Sequence, residues 1–429
     1  MKPNFLFLIV DQLSSRAIRC NGNLNVNTPN IDKLAEKGVN FKKAYCTHPL
    51  CGPSRASLFT SRMPASLGIT GNNFSQLEIS EKNVETLGEV FSRNGYTTAY
   101  AGKWHLQGSF PGYSSRFKIP GFNILPLQKP NINWNFDQTK YAKGLTVDPS
   151  TVSTSIEFLS KNQNPFFLTV SFLNPHDICE FEICDQIKKI IPKNLDALPK
   201  PLINQTTPQA FSGEKSGVET KGWDEKKWRE YLYVYYYLIE EVDRRIGEVL
   251  QKIPENTIVL LTSDHGDMMG AHKMIGKTRF YDESSCVPLI ISGPGIRNYV
   301  EKHVVSGLDI MPTFLDYAGI DVKGLNLQGS SLKPLIDGSA VDWRDFAACC
   351  SQRRVREMWR GSRMLRTSRY KYITEIDYDN EQFFDMEKDP GEEINIINSI
   401  HVKEEVSKSR VLLKKWLKNT EDPFIWYLQ

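Results

Sequence analysis

The sequence predicts an α/β fold on a largely parallel sheet, followed by a small antiparallel sheet with one helix. Continuous apolar runs of strand length (FLFLIV, FFLTVSFL, TIVLLTS) alternate with helical patterns through most of the chain, as strands covered on both faces require. Two stretches, 109–149 and 178–222, are rich in Pro and polar residues and interrupt that alternation as long excursions. After about Asp337 the runs become shorter and alternate, as in an antiparallel sheet. Residues 1–340 are therefore read as a larger α/β part and 341–429 as a smaller α+β part.

The elements follow in order. Residues 5–10 form a buried strand that ends at Asp11. Thr28 as N-cap, Pro29 at the first helical position and Gly38 beyond the end mark a helix, with a strand over 39–45. A helix over 84–94 closes on Gly95 and leads into the strand YTTAYAG. A helix and strand share 152–174. The helix over 223–251 carries Trp228, Leu232, Tyr235, Ile239, Val242, Ile246, Val249 and Leu250 at three- and four-residue spacing. That periodicity makes its aromatic stripe core rather than a stacking platform. TIVLLTS and VPLIISG are further strands, and Asp309 caps the helix that begins IMPTFL. WRDFAAC, RMLRTSRYKYI and EQFFDME are the strands of the small sheet, and 402–417 is its amphipathic helix.

Composition removes several classes. The 429 residues include 53 Lys+Arg against 50 Asp+Glu, a net charge of +3, which gives no electrostatic footprint for nucleic acid. At 40% hydrophobic and 24% charged the chain is ordinary and globular. No run reaches the roughly 20 apolar residues of a membrane span, so no membrane partner is expected. The opening apolar run flows into a polar turn rather than a cleavage site, so a cytoplasmic chain is expected, or a periplasmic or secreted one if a leader has been removed. Eight cysteines are too dilute for a disulfide scaffold; Cys179 and Cys184 are either a pair or two core thiols.

Ligands of open α/β sheets sit beyond the carboxyl ends of the strands. There the sequence places Asp11-Gln12, Lys103-Trp104-His105, Asn174-Pro175-His176 and Asp264-His265-Gly266. Each alone reads as a turn or cap, but four strand ends in agreement read as a site. Oxygen-rich ligands with one imidazole suit a hard cation, Ca²⁺ or Mg²⁺. Asp11, Gln12, Asp264 and His265 are the metal set, and lysine and free histidines around it suit transfer of a tetrahedral anion. Cys51 lies at an expected helix start beside Pro53, Ser54 and Arg55, a setting that lowers a thiol pKa.

CGPSR at 51–55 fits the CxPSR signature, and the chain resembles the type I sulfatases of the alkaline phosphatase superfamily. The likeness extends to NTPNIDKLAEKGVNF, GKWHL, NPHD, SDHGDMMG, GKTRFYDES and FFDMEKDPGEEIN, and so covers nearly the whole chain in the right order. It implies an alkaline phosphatase-like sheet sandwiched by helices, and conversion of Cys51 to 3-oxoalanine (formylglycine) by a formylglycine-generating maturation enzyme. In that family one hydroxyl of the aldehyde hydrate attacks sulfur, and the second then expels sulfate. The resemblance implies Cys51 as nucleophile and metal ligand, with Asp11, Gln12, Asp264 and His265 at the cation. Arg55 and Lys103 would orient the hydrate, His105 would deprotonate it, and His176 and Lys277 would bind sulfate and assist the leaving oxygen. Many members carry a second aspartate where this chain has Gln12, which lowers the negative charge of the site by one.

The expected substrate is a sulfated carbohydrate or small molecule. Hydrolysis of phosphonate monoesters or phosphodiesters on the same scaffold is the alternative, and an inactive glycan-binding relative is the third reading. Asn72 or Asn73 either reaches substrate or forms a turn, and His272 either faces the pocket or is solvated. Arg353, Arg354, Arg356, Arg360 and Arg363 form a basic cluster, either a solvated face or a grip on an anionic glycan. The sequence does not fix the oligomeric state.

Overall fold

The computed structural model describes residues 2–72, 79, 82–106, 118–127, 143–182, 184–192, 220, 222–339, 342–355, 358–375 and 381–427. Its elements begin with β1 (Asn4–Val10), α1 (Pro29–Glu36), β2 (Gly38–Tyr45), α2 (Cys51–Thr60), α3 (Leu87–Arg93), β3 (Thr97–Gly102), β4 (Asn123–Ile124), α4 (Lys143–Lys161) and β5 (Phe166–Phe172). Next come α5 (Asp185–Lys188), α6 (Glu225–Leu250), β6 (Thr257–Ser263), α7 (Asp282–Ser285), β7 (Leu289–Ser292), β8 (Tyr299–Ser306), α8 (Ile310–Tyr317) and α9 (Lys333–Ile336). The chain closes with β9 (Phe346–Val355), β10 (Met358–Thr367), β11 (Tyr370–Glu375), β12 (Gln382–Asp385) and α10 (Lys403–Asn419).

The larger sheet has eight strands in the order β4-β3-β5-β1-β6-β7-β2-β8. All pairings are parallel except those of β7, which runs against both β6 and β2. Every residue of β1 is buried, and the two-residue period of a strand divides them between the faces. Phe5, Phe7 and Ile9 join one core, where Phe7 meets Phe314 of α8 with ring centroids 5.2 Å apart. Leu6, Leu8 and Val10 join the other, built with Tyr235, Leu238, Ile239 and Val242 of α6. The aromatic stripe of α6 is therefore core, as its spacing predicts; of the expected residues only Leu250 is less than fully covered.

The smaller sheet is antiparallel, in the order β12-β11-β10-β9. Leu365, Tyr372 and Phe383 face Val406, Leu413 and Leu417 of α10, while Met364, Ile373 and Phe384 join the core of the larger sheet. The FFDMEKDPGEEIN motif closes this junction. Buried Lys371 of β11 lies 2.7 Å from Asp282 and 2.6 Å from Glu392, and Glu392 accepts from the Asp282 amide at 2.7 Å.

Four sequence expectations shift. Helix α4 starts at Lys143, not 152, with Pro149 inside it, because the missing N–H of one proline removes a single bond from a long helix. RMLRTSRYKYI is two strands, β10 and β11, turned at Ser368-Arg369, where Thr367 Oγ1 accepts from the Tyr370 amide at 3.0 Å. Strand β8 was not foreseen; among the described residues it pairs with β2 at the sheet edge, and its consecutive Glu301, Lys302 and His303 interrupt the apolar pattern. Asp309 stands at the start of α8 but caps no amide there; its carboxylate accepts from Ser306 N, Ser330 N and Arg344.

Candidate active site

Strands β3, β5, β1 and β6 are consecutive and parallel, so their carboxyl ends share one edge. Asp11 and Gln12 follow β1, Lys103 and His105 follow β3, His176 follows β5, and Asp264 and His265 follow β6. Gln12 and His105 hold positive φ, 67° and 61°, a conformation that costs non-glycine residues energy and collects at functional sites. Cys51 enters from the side as the first residue of α2. The helix therefore starts two residues before Pro53, which sits in its first turn where no amide is needed. The Gly52 amide donates to Asn72 Oδ1 at 3.0 Å.

All the groups meet at the Cys51 sulfur. Sγ lies 3.1 Å from His265 Nε2, 3.4 Å from Lys277 Nζ, 3.7 Å from Lys103 Nζ and 3.9 Å from Asp11 Oδ1. His105 and His176 also hydrogen-bond it. Ligand atoms of Asp11, Cys51, Asp264 and His265 all lie within 4.8 Å of one another, and all four residues are buried. The guanidinium of Arg55 underpins this cluster. Its Nη2 reaches Asp11 Oδ2 at 3.0 Å, its Nε reaches Asp264 Oδ2 at 2.8 Å, and its Nη1 reaches Lys103 O and Ser171 Oγ. Lys103 Nζ adds a 2.6 Å contact to the same Asp11 Oδ2. Arginine and lysine thus hold the Oδ2 atoms and leave Oδ1 of Asp11 toward the sulfur. Two buried carboxylates, an imidazole and the position-51 side chain form a donor set that fits a hard divalent cation. His265 Nδ1 lies 2.9 Å from Gly266 O; a carbonyl only accepts, so Nδ1 carries the proton and Nε2 faces the cluster.

Burial opposes ionisation of the Cys51 thiol, but Lys103, Lys277 and His265 with a hydrogen bond from His105 hold it well below the usual thiol range. The two lysines lead this lowering; Arg55, whose guanidinium bonds the carboxylates, also couples to the Cys51 charge. Burial first, and then Lys103 and Lys277, push His176 down to about 3, so it stands as a neutral imidazole.

The structure gives two expected residues definite partners. Asn72 is engaged by the Gly52 amide, and Asn73 lies outside the described residues. His272 is buried and stacked on Tyr281 with centroids 4.0 Å apart, not solvated. Of the basic cluster, Arg363 is buried and paired through both Nε and Nη2 with Asp422, so it neither faces solvent nor grips a ligand. The side chains of Arg353, Arg354, Arg356 and Arg360 lie outside the described residues. Cys184 is a buried core thiol, whereas Cys179 is exposed, and both are free; Cys179 donates to Gln12 Oε1 at 3.4 Å. Sequence reasoning gave Cys179 only a pairing or core role and passed over Asp267, although Asp267 stands two residues after His265 in SDHGD.

A sulfatase family profile matches residues 3–320, and one for the C-terminal region of N-sulphoglucosamine sulphohydrolase matches residues 270–421. The chain belongs to the sulfatase family. It is a sulfuric ester hydrolase on an alkaline phosphatase-like fold. The Clostridium perfringens arylsulfatase is 30% identical over 99% of this chain and 96% of its own length. A Delta 4,5-hexuronate-2-O-sulfatase of Bacteroides thetaiotaomicron is 29% identical over 99% of this chain and 90% of its own. Among solved structures, a 2-O GAG sulfatase superposes with a TM-score of 0.82 at 29% identity, covering 99% of this chain and 94% of that one.

In this sulfatase the loop bearing His176 is pinned by two buried carboxylates. Asp148 of α4 accepts from the amides of Leu173 and Asn174 at 2.7 and 3.0 Å. Asp177 accepts from Gly144 and Leu145 at the start of α4 at 2.7 and 3.3 Å. Burial outweighs these amide bonds and pushes Asp148 up to about 8 and Asp177 up to about 7. The folded chain therefore keeps two protons that the unfolded chain releases above about pH 4. Their stabilising contribution is full below that pH and is lost as pH rises through about 7 to 8. Asp148→Asn removes one of these groups. The stability gap between wild type and variant is expected to shrink as pH rises from 5 to 8, read by thermal melts; a constant gap would contradict this.

Proposed function

We propose that this sulfatase removes sulfate from a carbohydrate, with an aldehyde made from Cys51 as nucleophile and a bound Ca²⁺, or Mg²⁺, beside it. The observation that carries this is the convergence on Cys51 Sγ of His265, Lys277, Lys103 and Asp11 within 3.9 Å. A carbohydrate substrate is supported by the activities for which the Bacteroides hexuronate sulfatase and the GAG sulfatase are named.

Asp11, Gln12, Asp264 and His265 would hold the cation. Together, the ion would supply positive charge to the reacting oxygens, and the hydrated aldehyde an oxygen nucleophile with its own release route. His105, hydrogen-bonded at position 51, is placed to take a proton from a hydroxyl there. Lys277 and Lys103, on opposite carboxyl-end loops, put two ammonium groups where a sulfate against that side chain would carry its charge. His176 reaches the same atom and is placed to hold a proton toward the leaving oxygen. Arg55 orients the two carboxylates through its Nε and Nη2 bonds.

Cys51, Ser54 and Arg55 are at most 1% exposed. A maturation enzyme reading CGPSR must therefore act before the chain closes over the motif. The test is sulfate release by converted protein from aryl sulfate and a panel of sulfated sugars, with aryl phosphonate in parallel. Release from at least one sulfated sugar, above the phosphonate rate, is expected. Turnover of phosphonate alone would overturn the proposal in favour of the alternative chemistry.

A further inference from the structure

The carboxamide of Gln12 is held at both ends. Its Nε2 donates to Asp267 Oδ2 at 2.8 Å, and its Oε1 accepts from Lys277 Nζ at 2.7 Å and from the Cys179 thiol at 3.4 Å. A primary amide has one donating and one accepting end. Anchoring the nitrogen on Asp267 therefore turns the oxygen toward Lys277, which lies 3.4 Å from Cys51 Sγ. The Gln12 backbone is fixed as well, its amide donating to Asp264 Oδ1 at 3.1 Å.

Asp267 is fully buried, and the described groups that hydrogen-bond it are all donors. The Tyr231 hydroxyl reaches both oxygens at 3.0 Å, the Met269 amide donates at 2.8 Å and the Gly276 amide at 3.1 Å. A carboxylate so surrounded is an acceptor with no room for a second acid. The Gly276 bond also ties it to the residue before Lys277. One side chain thus sets the direction of the Gln12 oxygen and the backbone from which Lys277 departs.

We infer that Asp267 is a positioning residue that locks the Gln12 amide with its oxygen toward the cation cluster, making glutamine rather than an acid the working side chain at position 12. This rests on the cation reading above. It carries a consequence that simple charge counting does not. Added negative charge ordinarily tightens a Ca²⁺ site. Here Gln12→Glu sets a second carboxylate at hydrogen-bond distance from Asp267, and like charges at that range repel. The new side chain is driven off its anchor, and Ca²⁺ binding weakens. In an Asp267→Asn background the asparagine Nδ2 donates to that carboxylate instead, and the same substitution tightens binding.

Calorimetric titration with Ca²⁺ alone decides this for the wild type, Gln12→Glu, Asp267→Asn and the double variant, with thermal melts confirming that each is folded. Gln12→Glu is expected to weaken Ca²⁺ about tenfold in the wild-type background and to strengthen it in the Asp267→Asn background, a coupling within the usual range. The same sign in both backgrounds would overturn the positioning role while leaving the cation reading intact. No Ca²⁺ binding by the wild type would overturn both. If Asp267→Asn does not fold, Gln12→Glu alone decides: weaker binding supports the role, and unchanged or tighter binding overturns it.

Discussion

Cys51→Ala is expected to abolish sulfate release, by roughly 10⁴-fold or more as for a residue on which the other catalytic groups act jointly, while the fold survives. The loss of activity follows from geometry. His105, His176, His265, Lys103 and Lys277 all address the same atom, and without it they have nothing to activate. The fold survives because each lysine keeps a second partner: Lys103 retains Asp11 at 2.6 Å and Lys277 retains Gln12 at 2.7 Å. Sulfate release and a thermal melt on the same preparation check both halves. A variant that keeps even a tenth of the wild-type rate would mean that the reacting centre lies elsewhere.

Arg55→Met should act in the opposite way, through stability first. The guanidinium, Asp11 and Asp264 have no exposed side-chain surface, and removing the cation leaves Asp264 buried without its guanidinium and Asp11 with Lys103 alone. Breaking a buried pair from one side costs about 3–5 kcal/mol. Methionine approximates the length of the arginine stem, so lost packing adds little. The midpoint of urea unfolding is expected to fall accordingly. Millimolar Ca²⁺ is expected to restore more stability to the variant than to the wild type, because a cation held by Asp11 and Asp264 supplies the charge that arginine had provided. A loss below about 1 kcal/mol, the scale of exposed pairs, would contradict the role given to Arg55.

Physics explains which features could be read from the sequence. Strands β1, β5 and β6 are buried along their whole length, so they appear as unbroken apolar runs, and their polar followers stand out. That is why Asp11, Gln12, His176, Asp264 and His265 are legible in the sequence. Edge strand β8 carries Glu301, Lys302 and His303 in succession, the last two exposed, which erases the run. The β10–β11 turn uses Ser368 and Arg369 rather than Gly, Pro or Asn, so the two strands read as one. The supports of the site were harder still. Asp267 meets Gln12 across 255 positions, and Arg55 meets Asp264 across 209. Local pattern has no access to such pairings. Arg55 was read as a neighbour of the thiol because it is close in sequence; three-dimensional packing gives it to the carboxylates.

Peptide mass spectrometry of catalytically active protein reaches the core of this picture most directly. Trypsin should release residues 44–55, which contain Cys51 and end at Arg55. In active protein that peptide is expected to carry an aldehyde in place of the Cys51 thiol, in proportion to specific activity across preparations. Full activity from protein whose peptide shows only the unmodified thiol would contradict it.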